Sequence, residues 1–185
     1  MHIAVYSGSF NPLHIGHQAI MEYLTREAGF DWVYLVVSPQ SPFKDVSYAD
    51  SGKARYEAAV AAVKRHPALR VRVDDIELGM TPPHYTIRTL DALREREPEN
   101  DFTLVIGADN LAVFDRWRDS GRILTEYGVA VFPRVGCHRG HDRSRLLKAC
   151  PQARIRLLKA PRVDISSSEI REGLAAGRDM SPWLM

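Results

Sequence analysis

Two histidines near the N-terminus have the residue types and the spacing of a phosphate-binding pair. His14 and His17 are three residues apart with Gly16 between them, after an apolar run, Ile3 to Tyr6, and a turn-forming segment. At the start of a helix, both imidazoles would share one face, where backbone N–H groups are free and the helix dipole is positive. Gly16 leaves space for a phosphate to approach the backbone. The pattern therefore predicts an anion site with two imidazole donors.

Three other interpretations of this pair carry less support. Two histidines three residues apart could be zinc ligands, but no third ligand lies nearby in the sequence. A histidine at a helix start is often structural. The stretch contains neither G-x-G-x-x-G nor G-x-x-x-x-G-K-[ST], so it is not an ordinary nucleotide-binding loop. The H-x-G-H spacing directly after a strand and a turn is more specific than a glycine-rich loop, and it favours phosphate binding.

A run of serines near the other end of the chain predicts a second phosphate site. Ser166 and Glu169 fit a capping box, with Ser166 as the N-cap of a helix. Capping explains these two residues, but it does not explain Ser167, Ser168 or Arg171, which lies one turn into the helix. Hydroxyl groups, free N–H groups and a guanidinium together suit the outer phosphates of a triphosphate.

A competing metal site has too few ligands. Cys137, His138 and His141 have a spacing that could bind zinc, but a fourth ligand is missing. The basic side chains of Arg139 and Arg143 would oppose a cation there. We therefore expect no protein-bound metal site in this chain.

Length and composition indicate one soluble domain covering residues 1–185. The chain is 45% hydrophobic and 26% charged, which is ordinary for a globular protein, and its net charge of +2 gives no reason to expect nucleic acid or a membrane surface as a partner. Two cysteines, Cys137 and Cys150, form no disulfide framework and suit a reducing compartment. The N-terminus has no signal-peptide pattern, and no apolar run is long enough to span a membrane. We expect a cytoplasmic protein and leave open its assembly into a homo-oligomer.

Short apolar runs alternate with helical patterns, which is typical of a parallel α/β sheet. The helix expected after Ser51 has a predicted inner stripe of Tyr56, Ala59, Val60 and Val63. Ligands of such sheets bind beyond the carboxyl ends of the strands. The H-x-G-H turn, Lys44, the turn at 107–109 and the serine run all fall at that edge. The predicted strands are 3–6, 32–37, 69–73, 102–106, 128–132 and 154–158.

Taken together, these segments resemble a known family. The stretches 8–17 and 165–171 resemble the two signatures of the H-x-G-H nucleotidylyltransferase superfamily. The stretches 38–44, 85–90 and 106–111, with Trp117 after them, resemble the bacterial nicotinate-nucleotide adenylyltransferases. The resemblance implies a Rossmann-like parallel sheet of the nucleotidyltransferase type, with helices on both faces. It also implies transfer of AMP from ATP, with Mg²⁺, to nicotinate mononucleotide, giving deamido-NAD and pyrophosphate in NAD biosynthesis.

The resemblance also implies roles for individual residues. The implied catalytic residues are His14, His17, Lys44 and Arg171. The implied ATP-binding residues are Gly8, Ser9, Phe10, Gly16, His17, Gly107, Asp109, Arg134, Ile165, Ser166, Ser167, Ser168 and Arg171. The implied mononucleotide-binding residues are Ser9, Lys44, Tyr85, Thr86 and Trp117.

Several of these residues also have a plain structural interpretation. Asp109 could orient a ribose or a metal-bound water, or it could simply form a turn. Arg134 could flank the adenine or its phosphates, or be a solvated loop residue. Trp117 could stack on the pyridine ring, although an aromatic residue in a short helix is more often part of the core.

Two other functions and one departure from the family stay open. Another member of the superfamily, such as a phosphopantetheine adenylyltransferase, or a non-catalytic nucleotide sensor would share the phosphate site. The chain ends at 181–185, where members of the family usually continue into a C-terminal helix. This difference removes none of the motif residues.

Overall fold

The computed structural model describes residues 1–39 and 51–185. They form a six-stranded, fully parallel sheet, which confirms the predicted α/β class. The strands are β1 (His2–Gly8), β2 (Trp32–Val37), β3 (Val71–Asp74), β4 (Asp101–Gly107), β5 (Val129–Phe132) and β6 (Ile155–Leu157). The α-helices are α1 (Ile15–Arg26), α2 (Gly52–Lys64), α3 (Thr86–Arg96), α4 (Ala108–Ala112), α5 (Ser120–Arg122), α6 (Arg139–Ala149) and α7 (Ser167–Ala175). Short 3₁₀ turns cover Ile76–Gly79, Phe114–Arg116 and Ser181–Trp183, and a π-helical turn covers Ile123–Tyr127.

The order of the strands places a crevice between β1 and β4. The sheet runs β3-β2-β1-β4-β5-β6, so the direction of winding reverses between these two central strands. Strands β1 and β4 pair from His2 opposite Asp101 to Tyr6 opposite Val105, and they end at Gly8 and Gly107. Such a reversal is where open parallel sheets bind ligands, because the two connections leave the strand ends in opposite directions.

Helices cover both faces of the sheet, as predicted. Side chains of a strand alternate between its two faces. Ala4 and Tyr6 of β1 therefore belong to a core with α1 and α2, whereas Ile3 and Val5 belong to a second core with α3, α4 and α6. The second core also contains Phe114, which is fully buried. The two cores hold the central strands rigidly, so the ends of those strands are fixed in position.

Two helical details differ from the sequence-based expectation. The helix expected through Trp117 ends at Ala112, and Trp117 itself has an extended backbone after the 3₁₀ turn. In α2 the buried residues are Arg55, Ala59 and Ala62, whereas Val60 is only partly buried. The inner face of α2 therefore includes the charged residue Arg55. The apolar pattern of the sequence does not predict this, because it considers only apolar residues. Across 1–39 and 51–185, no helix has the length and apolar character needed to cross a membrane.

Candidate active site

His14 and His17 begin helix α1 and cap it with their own side chains. His14 is the N-cap, and its Nδ1 accepts a hydrogen bond from the Gly16 N–H at 3.0 Å. The backbone N–H of His14 in turn donates to Nδ1 of His17 at 3.2 Å. Since both Nδ1 atoms accept hydrogen bonds, the proton of each neutral ring belongs on Nε2. Each imidazole therefore has one N–H donor that the helix cap does not use.

Both imidazoles are neutral at neutral pH. The pKa of His14 is lowered to about 4, mainly by burial and also by the Arg134 guanidinium, whereas Glu169 acts in the opposite direction. Burial likewise lowers the pKa of His17 to about 3, with contributions from His14 and Arg134. The rings stack with centroids 3.7 Å apart, an arrangement that two charged imidazoles would oppose.

Gly16 is required by the position of the His14 ring. A Cβ atom at residue 16 would lie 2.8 Å from Cε1 of His14, so a larger residue would displace that imidazole. The space beside the Gly16 backbone is therefore filled by the ring, although Gly16 also lines the cavity described below.

The turn after β1 packs against His17. Phe10 lies 5.1 Å from the His17 ring, centroid to centroid and edge-on, and 5.3 Å from the Tyr6 ring. Its backbone has φ = +49°, in the left-handed region that L-residues rarely adopt. The Phe10 ring is buried, so packing holds this turn conformation in place.

The serine run begins helix α7 and joins it to the same turn. Ser166 caps α7 through a capping box with Glu169, as predicted from the spacing. Ser167 Oγ donates to the Pro12 carbonyl at 2.9 Å. Arg171 Nη1 donates to the Asn11 carbonyl at 2.6 Å, and its Nη2 donates to Ser168 Oγ at 3.1 Å. The N-termini of α1 and α7 therefore lie side by side.

Two cavities meet at these helix ends. The larger, of about 620 Å³, is lined by His14, Gly16 and the start of α7; the smaller, of about 290 Å³, lies over the ends of β1 and β4. The larger volume is well within the usual range for small-molecule sites, and the smaller lies near its lower end. The two cavities share lining residues, namely Tyr6, His17, Phe132, Arg134 and Ser167.

Most of the predicted ATP residues line one or both cavities. Those in the larger cavity are Gly16, His17, Asp109, Arg134, Ile165, Ser166 and Ser167, and the predicted catalytic residue His14 lines it too. Those in the smaller cavity are Gly8, Ser9, Phe10, His17, Gly107, Arg134 and Ser167. Ser168 and Arg171 line neither cavity. They lie further along α7, where Arg171 donates hydrogen bonds to Ser168 and to the Asn11 carbonyl of the turn.

Asp109 and Arg134 face each other over the end of β4. Their Oδ1 and Nε atoms are 3.7 Å apart, and both side chains are more than half exposed. A Cβ atom at Gly107 would lie 2.5 Å from Oδ1 of Asp109 and 3.2 Å from Nε of Arg134. Residue 107 must therefore be glycine for this pair to occupy its place.

The predicted mononucleotide residues are divided between two places. Ser9, Thr86 and Trp117 line the smaller cavity, and the Trp117 ring also packs on Phe114 at 4.8 Å between centroids. Tyr85 lies apart from them: it is 38% exposed, lines a separate cavity of about 460 Å³, and has the Arg118 guanidinium 4.9 Å from its ring centroid. Lys44 lies outside the described residues.

Two buried charged residues near the site were not predicted. Glu77 is 5% exposed and accepts a 3.2 Å hydrogen bond from Ser7 Oγ, and burial raises the pKa of its carboxyl group. Arg55 is 2% exposed. Charged residues in polar segments are usually exposed, so the sequence contains no signal for either of them. Asn110 lines the smaller cavity and was likewise not singled out.

The Cys137, His138 and His141 segment contributes little to this site. Cys137 lines the larger cavity, and both cysteines are free thiols. Within the described ranges, no group of three or more His, Cys, Asp or Glu side chains is arranged to hold a metal ion.

Comparisons with known proteins match most of the chain. The family model "Cytidylyltransferase-like" matches residues 5–173. A protein of Bacteroides fragilis named "Probable nicotinate-nucleotide adenylyltransferase" is 40% identical over 180 residues, covering 97% of this chain and 85% of its own length. A protein of the same name from Bacteroides thetaiotaomicron is 37% identical over 180 residues, with the same coverage of each chain.

A solved structure shares the fold at low sequence identity. It is the Plasmodium falciparum nicotinic acid mononucleotide adenylyltransferase complexed with NaAD, with a TM-score of 0.76, 19% identity, and coverage of 99% of this chain and 90% of that one. The sequence similarity extends over nearly the full length of the chain. The parallel sheet, and the position of both signature segments at one pair of cavities, are consistent with it. The chain belongs to the cytidylyltransferase-like family and, within it, to the nicotinate-nucleotide adenylyltransferases.

Proposed function

We propose that the protein transfers the adenylyl group of ATP to nicotinate mononucleotide, forming deamido-NAD and pyrophosphate. The observation that carries this proposal is that one imidazole, His17, lies on the wall shared by two cavities. A reaction between two phosphate-bearing substrates needs such a junction, because the attacking oxygen and the phosphorus must meet in line. The named relatives support the choice of these two substrates.

The chemistry needs alignment more than it needs a base. An oxygen of the acceptor phosphate forms a bond to the α-phosphorus of ATP, while the bond from that phosphorus to its bridging oxygen breaks. Pyrophosphate leaves with the electron pair. The acceptor phosphate is already an anion, so no residue has to remove a proton. Two neutral imidazoles that offer Nε2–H donors suit this requirement, because they stabilise charge that develops on the phosphoryl oxygens.

We assign the larger cavity to ATP. It lies beside the N-termini of α1 and α7, where helix dipoles and free N–H groups favour phosphates. Arg134 adds a cation, and Ser166 and Ser167 add hydroxyl groups. We propose that Mg²⁺ arrives bound to the triphosphate with most of its waters, since Mg²⁺ rarely needs an all-protein cage in such sites. Asp109, exposed at the cavity wall, is placed to accept a hydrogen bond from one of those waters.

We assign the smaller cavity to the acceptor and expect it to prefer the acid over the amide. Thr86 begins α3, so free N–H groups lie at the cavity wall beside Trp117. Among the lining residues that the structure describes, Arg134 is the only charged one and none is acidic. Free N–H groups and the Arg134 guanidinium form stronger hydrogen bonds to a charged carboxylate than to a neutral carboxamide, a difference of about 1–3 kcal/mol. The acid should therefore be preferred about tenfold to a hundredfold in kcat/KM.

A substrate panel tests the proposal. Purified protein is incubated with Mg²⁺, either ATP or CTP, and one acceptor from nicotinate mononucleotide, its amide and phosphopantetheine; pyrophosphate is followed and products are identified by mass spectrometry. We expect the most efficient turnover with ATP and nicotinate mononucleotide. Equal kcat/KM for acid and amide would show that the pyridine pocket is misplaced. Tight ATP binding without pyrophosphate from any acceptor would favour a nucleotide sensor instead.

We further propose that residues 1–185 act as one catalytic domain in the cytoplasm. Apart from Tyr85, the predicted site residues in 1–39 and 51–185 line the two cavities or, like Ser168 and Arg171, form hydrogen bonds beside them. Size-exclusion chromatography with light scattering would measure how many copies assemble.

A further inference from the structure

A buried arginine supports the turn that separates β1 from the histidine pair. Arg55 of α2 is 2% exposed, although arginine is rarely buried so completely. Its Nη1 donates a hydrogen bond of 2.8 Å to the carbonyl oxygen of Ser9, 46 residues earlier in the chain. Arg55 lines neither of the two site cavities, so it does not contact a substrate there.

The bond to Ser9 determines where the next N–H group points. Peptide planes are rigid, and in a trans peptide the N–H points opposite to the preceding carbonyl. The Ser9–Phe10 peptide is not among the cis bonds of the described chain. Because Arg55 holds the Ser9 carbonyl, the Phe10 N–H points to the opposite side of that peptide, and Ser9 and Phe10 both line the smaller cavity. Within 1–39 and 51–185, that N–H donates to no other main-chain group.

The conformation of this turn also affects the catalytic imidazole. Phe10 has the unusual backbone angle φ = +49°, and its ring packs edge-on against His17 at 5.1 Å. A strained residue keeps such a conformation only when its surroundings hold it. Arg55 is one of those supports, since it fixes the peptide immediately before Phe10.

We propose that Arg55 is a positioning residue for adenylyl transfer. Its charged hydrogen bond to Ser9 holds the Phe10 N–H towards a phosphate oxygen at the junction of the two cavities, before substrate arrives. A donor that is already oriented needs no rearrangement when charge develops, and this makes it effective in the transition state. This inference rests on the proposed function, and it adds a residue outside both cavities to the machinery.

Kinetic variants separate this role from simple structural support. Arg55→Met removes the charge and the donors, and we expect kcat/KM to fall about tenfold to a hundredfold, with most of the change in kcat. Arg55→Lys keeps the charge and one donor and should recover most of that loss. Arg70→Met is the control for the type of bond, because exposed Arg70 also donates to a main-chain carbonyl, that of Thr25, at 2.7 Å and lines neither cavity. It should lower Tm without changing kcat/KM by more than about twofold.

An NMR readout makes the test independent of which acceptor the enzyme uses. The Phe10 amide resonance is followed while Mg²⁺ and ATP alone are added to the wild type and to Arg55→Lys and Arg55→Gln, because the proposal places the α-phosphate of ATP at the junction of the two cavities, beside His17 and Phe10. We expect a large shift of this resonance on ATP binding in the wild type, a similar shift in the lysine variant, and a clearly smaller one in the glutamine variant.

The outcomes that overturn the inference are distinct from those that overturn the proposed function. Wild-type kcat/KM in Arg55→Met, an unchanged Phe10 shift in Arg55→Gln, or equal losses of activity in Arg55→Met and Arg70→Met would each overturn the positioning role. If Arg55→Met does not fold, Arg55→Gln carries the same kinetic test. If the wild type uses another acceptor, kcat/KM is measured with that acceptor, so the proposed function fails while the inference is still tested.

Discussion

Ser167 Oγ donates a 2.9 Å hydrogen bond to the carbonyl of Pro12, joining two signature segments that are 155 residues apart in the chain. The bond holds the N-terminus of α7 against the turn that leads into α1. Two helix ends with free N–H groups therefore face one cavity, and their dipoles act together on a bound polyanion. The first prediction concerns this contact.

Ser167→Ala should weaken both the fold and ATP binding. Loss of one partly buried hydrogen bond costs about 1 kcal/mol, which lowers Tm by about 2–4 °C in a protein of this size. Misalignment of α7 should raise KM for ATP roughly threefold to tenfold. Ser144→Ala is the control, because Ser144 Oγ also donates to a main-chain carbonyl, that of Gly140, but on exposed α6. Identical KM values for ATP in the two variants would contradict the role of the contact.

The buried imidazoles predict that stability decreases in acid. In the unfolded chain, histidine takes up a proton below about pH 6.5, whereas in the folded protein His14 and His17 do so only near pH values of about 4 and about 3. Between these limits the unfolded state binds more protons, so the free energy of unfolding falls as pH is lowered. The expected slope is about 1.4 kcal/mol per pH unit for each histidine.

Urea denaturation of the wild type and of His17→Gln, at a series of pH values below neutrality, measures this slope. The variant should show a shallower decrease than the wild type, because it has lost one of the two titrating groups. Parallel decreases in the two proteins would mean that His17 is not held neutral in the folded state. A ¹⁵N NMR spectrum near pH 6 should also show the Nε2–H tautomer for both rings.

Arg134→Met should impair ATP binding with little effect on stability. Arg134 is 55% exposed and its ion pair with Asp109 is 3.7 Å long, so the pair contributes at most about 1 kcal/mol to folding. The loss of a cation beside the triphosphate should nevertheless raise KM for ATP about tenfold. Arg145→Met removes a comparable exposed pair with Asp115 that lines neither cavity, and it should leave KM for ATP unchanged. A large loss of Tm in Arg134→Met with an unchanged KM would refute this assignment.

Activity should require Mg²⁺ or Mn²⁺, and the purified protein should contain no stoichiometric zinc. The triphosphate brings its own cation, whereas Cys137, His138 and His141 are an incomplete ligand set. Chelation followed by addition of each metal measures the requirement. About one zinc per chain, retained after dialysis against a chelator, would overturn the prediction.

Local features of the site could be predicted because they depend on neighbours in the sequence. The strand, the turn and the first helix around His14 follow from an apolar run, turn-forming residues and helical periodicity. The capping box at Ser166 and Glu169 has a fixed three-residue spacing, and the structure contains it. The parallel sheet itself follows from the alternation of strands and helices along the chain.

Long-range features could not be predicted because they depend on packing. The capping of α1 by its own histidines uses ring orientations that no spacing reveals. Tyr85 and Thr86 are adjacent in sequence, yet they line different cavities because α3 begins between them and turns Tyr85 towards Arg118. Arg55 has the sequence context of a solvated residue, and its burial appears only when α2 packs beneath the turn after β1.

The central claim is that His17 stabilises the transition state where the two cavities meet, and His17→Ala tests it most directly. The measurement is kcat at saturating substrates together with the Kd for ATP, in a variant whose fold is verified by circular dichroism, with exposed His141→Ala as the control. We predict that kcat falls by about 10²–10³, the usual effect of losing one preorganised donor, while the Kd for ATP changes by less than about threefold. A kcat within about twofold of the wild type, in a correctly folded His17→Ala protein, would contradict the account.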